Sequence, residues 1–142
     1  MRACVWKPAL VLALFAAAAA NAANAANVVV TVKNVASASG TVRGAICDKE
    51  TFLKVCSYRT SEKAKDDSVV LTFKDVPPGR YAFNAYHDEN DNNKMDRNLI
   101  GIPTEGYAFS RDAKGRRGPP QFDDAAFDIK DGDNEIAVTL NY

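Results

Sequence analysis

An all-β fold is what this 142-residue sequence predicts: a single antiparallel β-sandwich of six to seven strands over residues 27–142, preceded by a signal peptide over residues 1–26. Three observations predict it. Runs rich in Val, Ile, Thr, Phe and Tyr alternate with period two, as half-buried strands do. Turn signals such as PPG and DGDN punctuate them at short intervals. After the N-terminus, no segment carries the three-to-four residue apolar period of a helix, so any helix should be short.

The N-terminal segment justifies the leader. Arg2 and Lys7 precede the apolar run Ala9 to Ala20, and the small-residue stretch NAANAAN follows, with cleavage expected after Ala22, Ala25 or Ala26. The run falls short of the roughly 20 residues of a membrane-spanning helix. Cys4 precedes the run, so the cysteine of a lipid anchor is missing after it. The mature chain is expected in the periplasm or outside the cell, with no transmembrane segment.

The strands follow in order. Val28 to Val35 and Thr41 to Cys47 flank the small linker ASASG and read as an antiparallel pair, with Val42 and Ile46 on one face and Arg43 on the other. A polar connection runs from Asp48 to Asp67, anchored by Phe52, Leu53 and Tyr58. Val69 to Val76 places Val69, Leu71 and Phe73 on one face; after PPG, Arg80 to His87 is expected to pair with it. No sustained period spans Asp88 to Gln121, and a loop that long inside a domain points to function. Its second half, RDAKGRRGPP, reads as a solvated basic loop. Phe122 to Lys130 and Glu135 to Asn141 close the chain as strands around DGDN, with Ile136, Val138 and Leu140 on one face.

Composition narrows the function. Removing residues 1–26 leaves 16 basic against 18 acidic side chains, a balance that gives no electrostatic case for nucleic acid. Cys47 and Cys56 are an even pair in an oxidising compartment, which predicts a disulfide. Two separate thiols, or zinc held with His87, are the competing readings; the usual zinc spacings are absent.

The densest signal is Tyr81 to Ser110. Asp88, Asn90, Asn92 and Asp96 stand at relative positions 1, 3, 5 and 9, with the Lys94 carbonyl at 7, the spacing by which calcium loops turn hard oxygens to one point. Asn93 occupies the sixth position, where the sharp turn favours glycine; asparagine also visits the left-handed region. Leu99 stands where an EF-hand has its bidentate glutamate, so a complete EF-hand is excluded and Glu105 is the substitute donor. Calcium is therefore the expected cofactor, of weak affinity; the competing reading is a metal-free loop whose Asx turns cap backbone N–H groups.

The stretch PPGRYAFNAYHDENDNNKMDRNLIGIPTEGYAFS, about a quarter of the chain, resembles the signature of the domain-of-unknown-function 2141 family. There a PGxYA strand leads into HDENGNGKLD and GIPxEGYGFS. Asp91 and Asn93 replace two glycines of that loop, and Ala108 replaces the glycine before Phe109. The resemblance implies a small exported bacterial protein and a β-sandwich of the transthyretin or carboxypeptidase-regulatory type, with the HDEN loop as its functional feature. It implies no reaction.

Two further readings concern the same stretch. His87, Asp88 and Glu105 are the trio a hydrolase could use, but the sequence has no G-x-S-x-G, H-E-x-x-H or phosphate loop. Ile102, Pro103, Tyr107 and Phe109, with Tyr86, form either an exposed platform for a ligand or an apolar pin that fastens the loop to the sandwich. The sequence thus reads as a binding module for an unidentified ligand or protein partner through the Asp88 to Ser110 loop and residues His87, Tyr107 and Phe109, not as an enzyme. The alternative is an envelope interaction domain that uses no metal.

Overall fold

The structure is a computed structural model and describes residues 25–142. The expected leader falls almost wholly outside these residues. Eight strands form two packed sheets, two from segments that show no strand pattern in the sequence. They are β1 (Ala26–Val35), β2 (Thr41–Cys47), β3 (Tyr58–Lys63), β4 (Asp67–Val76), β5 (Gly79–Asp88), β6 (Tyr107–Phe109), β7 (Phe127–Ile129) and β8 (Asp133–Thr139). A 3-10 turn at Ser110–Asp112 and a one-turn helix α1 (Phe122–Ala125) complete the order.

One sheet has the order β4-β1-β8 and the other β3-β2-β5-β6, with β7 pairing to β5 beside β6. All pairings are antiparallel except β1 with β8, which run parallel. Two expected hairpins are absent. β1 and β2 lie in different sheets, as do β4 and β5; β2 pairs instead with β5, in the register Arg43 opposite Tyr86 and Thr41 opposite Asp88. Period-two alternation fixes which side chains face inward but is blind to whether a short connection folds back in one sheet or arches to the other. At the β4 to β5 connection, Pro77 and Pro78 also offer no N–H to extend a ladder.

The core follows from the alternation. Val28, Val30, Val32, Val69, Leu71, Phe73, Val42, Ile46, Phe83 and Val138 are buried between the sheets. A second apolar cluster covers the lower outer face of the larger sheet: Cys47, Ala82 and Phe109 from strands, Phe52 and Cys56 from the β2 to β3 connection, and Phe122, Ala125 and Ala126 around α1. Phe52 stacks edge-on against both Phe109 and Phe122, at centroid distances of 6.0 and 5.8 Å. The disulfide between Cys47 and Cys56 is formed and ties this connection to β2.

The expected strand over Phe122 to Lys130 is broken into α1 and the short β7. Asp124 accepts the Gln121 N–H at 3.1 Å, and a first turn carrying Asp123 and Asp124 favours a helix start over a strand. β3, YRTSEK, is a polar edge strand with one apolar anchor, Tyr58, so it shows no alternation to read. Arg111, Lys114, Arg116 and Arg117 of the basic run are exposed.

Candidate functional site

β5 delivers the site. Its inward residues end in His87 and its outward residues in Asp88, so the two neighbours enter opposite sides of the larger sheet. Both are fully buried. His87 Nε2 lies 2.7 Å from the Ser39 carbonyl, an acceptor only, so Nε2 carries the hydrogen and donates it. Its Nδ1 faces the Tyr142 hydroxyl at 2.9 Å, and that hydroxyl oxygen accepts the Ala36 N–H at 2.9 Å. Tyr142 also seals this end by lying over Gly106, where a Cβ would stand 2.5 Å from its ring. His87 therefore fastens the C-terminal residue and the β1 to β2 connection to β5.

Asp88 organises the loop that follows. Its Oδ2 accepts Arg43 Nε at 2.7 Å and the Asn93 N–H at 2.9 Å, while Oδ1 accepts the Asn92 N–H at 3.0 Å. The chain can wrap a carboxylate this tightly because Asp91 and Asn93 take left-handed conformations, with φ of 55° and 64°. These are the two positions where the family pattern has glycine. Asp91 then reaches the other side, accepting Thr41 Oγ1 at 2.6 Å and Lys63 Nζ at 3.1 Å. Those bonds, Thr41 first and Lys63 second, hold the Asp91 carboxyl below its ordinary pKa.

Glu105 closes the loop from its far end. It is buried, and its carboxylate bridges two backbone donors, Oε1 taking the Glu89 N–H and Oε2 the Asp96 N–H, each at 3.0 Å. Asn90 and Asn92 turn their side-chain oxygens back to the Asn92 and Lys94 N–H groups. Their side-chain amides meet at Asp96, Asn90 Nδ2 at 2.6 Å and Asn92 Nδ2 at 2.9 Å. The predicted oxygen donors Asp88, Asn90, Asn92 and Asp96 are thus joined in one hydrogen-bonded cluster, with Glu105 attached through the Asp96 backbone. Among the described residues, no group of three or more His, Cys, Asp or Glu side chains is arranged to hold a metal ion.

Of the apolar residues in this stretch, Phe109 is buried in the second cluster and Tyr107 packs beside it, so these two pin the loop down. Ile102 faces solvent. It belongs to a feature that sequence reasoning passed over, a small hairpin bridged at Arg97 and Pro103. Asn98 braces it: the Asn98 N–H donates to the Ile102 carbonyl, its carbonyl accepts the Gly101 N–H, and its Oδ1 accepts the Ile100 and Ile102 N–H groups. Gly101 supplies the left-handed φ of 83° that the turn requires. At its tip Leu99, Ile100 and Ile102 are 106, 79 and 54% exposed. The signal in the sequence is LIGIP, an apolar run inside a polar loop, in which Leu99 is more than the residue that stands in place of an EF-hand glutamate.

Beside the loop, a shallow depression of about 340 Å³ lies on the outer face of the larger sheet, lined by Arg43, Arg59, Asn84, Tyr86 and Asn93 among others. Burial raises the Tyr86 phenol above its ordinary pKa, against the opposing pull of the Arg43 charge. Among the described residues, no helix is long and apolar enough to cross a membrane. Comparison with curated proteins and with solved structures gives no match. Residues 30–137, most of the chain, match the family described as "Uncharacterized protein conserved in bacteria (DUF2141)", and the chain belongs to that family.

Proposed function

We propose that the protein is an exported binding module that presents its Asp88 to Ser110 segment to a partner. One observation carries this reading: the Arg97 to Pro103 hairpin is braced by five hydrogen bonds and yet holds Leu99, Ile100 and Ile102 out in water. Ordering a backbone costs about 1–2 kcal/mol per residue, and exposed aliphatic side chains return nothing to the folded state in exchange. A rigid apolar tip is stabilising only when something else covers it. The test is a photoreactive group at Ile100 in chains incubated with envelope extract, with Lys74 on the opposite sheet as the control position. A product specific to Ile100 supports the reading; identical products from both positions overturn it.

Calcium is a second reading, supported by the clustering of Asp88, Asn90, Asn92 and Asp96. The fit is partial. Asp88 and Glu105 already accept N–H donors on both oxygens, and Asn90 and Asn92 aim amide hydrogens, not oxygens, at Asp96. To offer oxygens there, both amides must turn by half a rotation and give up the Asn92 and Lys94 N–H bonds, about 1 kcal/mol each. Calcium is then a weak ligand, with a Kd of about 1 mM, the weak end of extracellular modules. Calorimetric titration tests this against Asn90→Asp/Asn92→Asp, whose added carboxylates should tighten binding by about tenfold or more. No heat from either protein would falsify the calcium reading.

A further inference from the structure

We infer that the partner of the Arg97 to Pro103 hairpin is an anionic lipid surface. The inference rests on the reading of this segment as a binding surface and names what covers it. Shape is the first reason. The three aliphatic side chains stand on a convex tip, and Leu99 is as exposed as in an isolated peptide, so none of the described residues covers it. A convex apolar tip needs either a matching apolar groove or a fluid that closes around it. Two depressions on the described surface do not match such a tip: they are lined chiefly by polar and charged residues, Arg43, Arg59 and Asn84 in one and Ser57, Thr72 and Lys74 in the other.

Charge is the second reason. Arg97 opens the hairpin and Lys94 precedes it by three residues; both are exposed, and among the described residues Arg97 engages the Gly101 carbonyl through Nη1 alone. Three of the five acidic side chains of the same loop are paired with a cation or buried, and the other two, Asp96 and Glu89, are engaged lower in the loop by neutral groups. Asp88 is buried on Arg43, Glu105 is buried on two N–H groups, Asp96 receives the Asn90 and Asn92 amides, and Asp91 pairs with Lys63. Glu89 lies at the base of the loop, beside His87. The hairpin is therefore aliphatic at its tip and carries the exposed Arg97 at its base with Lys94 close by in the chain, the pairing of apolar and basic groups by which peripheral segments enter the headgroup region of anionic bilayers. Rigidity adds to this, because a preformed tip loses little further conformational entropy on insertion.

The test is flotation of a chain of residues 25–142, which holds every strand of the sandwich, with two kinds of vesicle. One is mixed phosphatidylglycerol and phosphatidylethanolamine, the other phosphatidylcholine alone. Binding to the first and not the second is expected, weakened in about 0.5 M salt because the Lys94 and Arg97 charges are screened. Leu99→Ser/Ile100→Ser/Ile102→Ser should weaken it by about tenfold or more, with the melting temperature unchanged because these side chains are exposed. Val55→Ser, equally exposed on the far end, should leave it unchanged. Failure of the intact domain to float with anionic vesicles, or equal flotation of the triple variant, overturns the inference. If flotation fails while the Ile100-specific product from envelope extract persists on a protein, the lipid assignment falls and the binding reading stands; if both fail, both fall.

Discussion

Glu105 shows how a single carboxylate governs the loop. Its two oxygens each answer one backbone N–H, from Glu89 and Asp96, at the loop's beginning and end. Glutamine keeps the shape but presents an amide nitrogen to one of those donors, leaving a part-buried N–H without an acceptor. Glu105→Gln should therefore destabilise the fold by about 1–3 kcal/mol. Urea unfolding should show a lower midpoint at unchanged slope, with faster amide exchange at Glu89 and Asp96. An unchanged midpoint would mean that Glu105 is no brace. The sequence placed Glu105 in the same unit as the acidic loop, as an oxygen donor to a cation; its role as an acceptor for backbone N–H groups depends on chain geometry that spacing does not encode. The left-handed turn at Asn93 was legible, because few residue types tolerate that region.

At the scale of elements, the disulfide fastens the β2 to β3 connection, on which Phe52 and the second apolar cluster depend. The bridged cysteines are 9 residues apart, and closing a loop of that size in the unfolded chain is worth about 2–3 kcal/mol. Cys47→Ala/Cys56→Ala should lower the melting temperature by roughly 6–12 °C for a domain of this size, read by calorimetry under non-reducing conditions. A shift within error would show that the Phe52, Phe109 and Phe122 packing holds the connection alone. This pair was legible from parity and from the compartment the leader leads one to expect. β3 and β6 were not: the first is a polar edge, and the second is three residues whose alternation cannot be told from a loop's. The hairpin at Arg97 to Pro103 escaped for a third reason. Its apolar residues face out, against the premise that large apolar side chains go inside.

For the whole molecule, inward faces were read correctly while the pairing of strands was not, because alternation records burial and not the neighbour that provides it. The sandwich places tyrosines where that burial has a measurable consequence. Tyr81, Tyr86 and Tyr142 all have raised phenol pKa values: burial is the largest cause at each, joined by the charges of Tyr58 and Asp48 at Tyr81 and of Glu89 at Tyr142. A raised folded value means the native state holds the phenol proton more tightly than the unfolded chain. The contribution is then complete below the ordinary value of 10.0 and is lost as pH climbs through the folded values. Melting temperature should stay level across neutral pH and fall above about pH 10, when measured by circular dichroism in matched ionic strength. Tyr142→Phe removes one of the three ionisations and the hydroxyl that serves His87 Nδ1 and the Ala36 N–H. It should therefore melt lower than the parent at pH 7, with a smaller further loss above about pH 10. A parent curve as level at pH 11 as at pH 8 would show that these phenols ionise alike in the folded and unfolded chains.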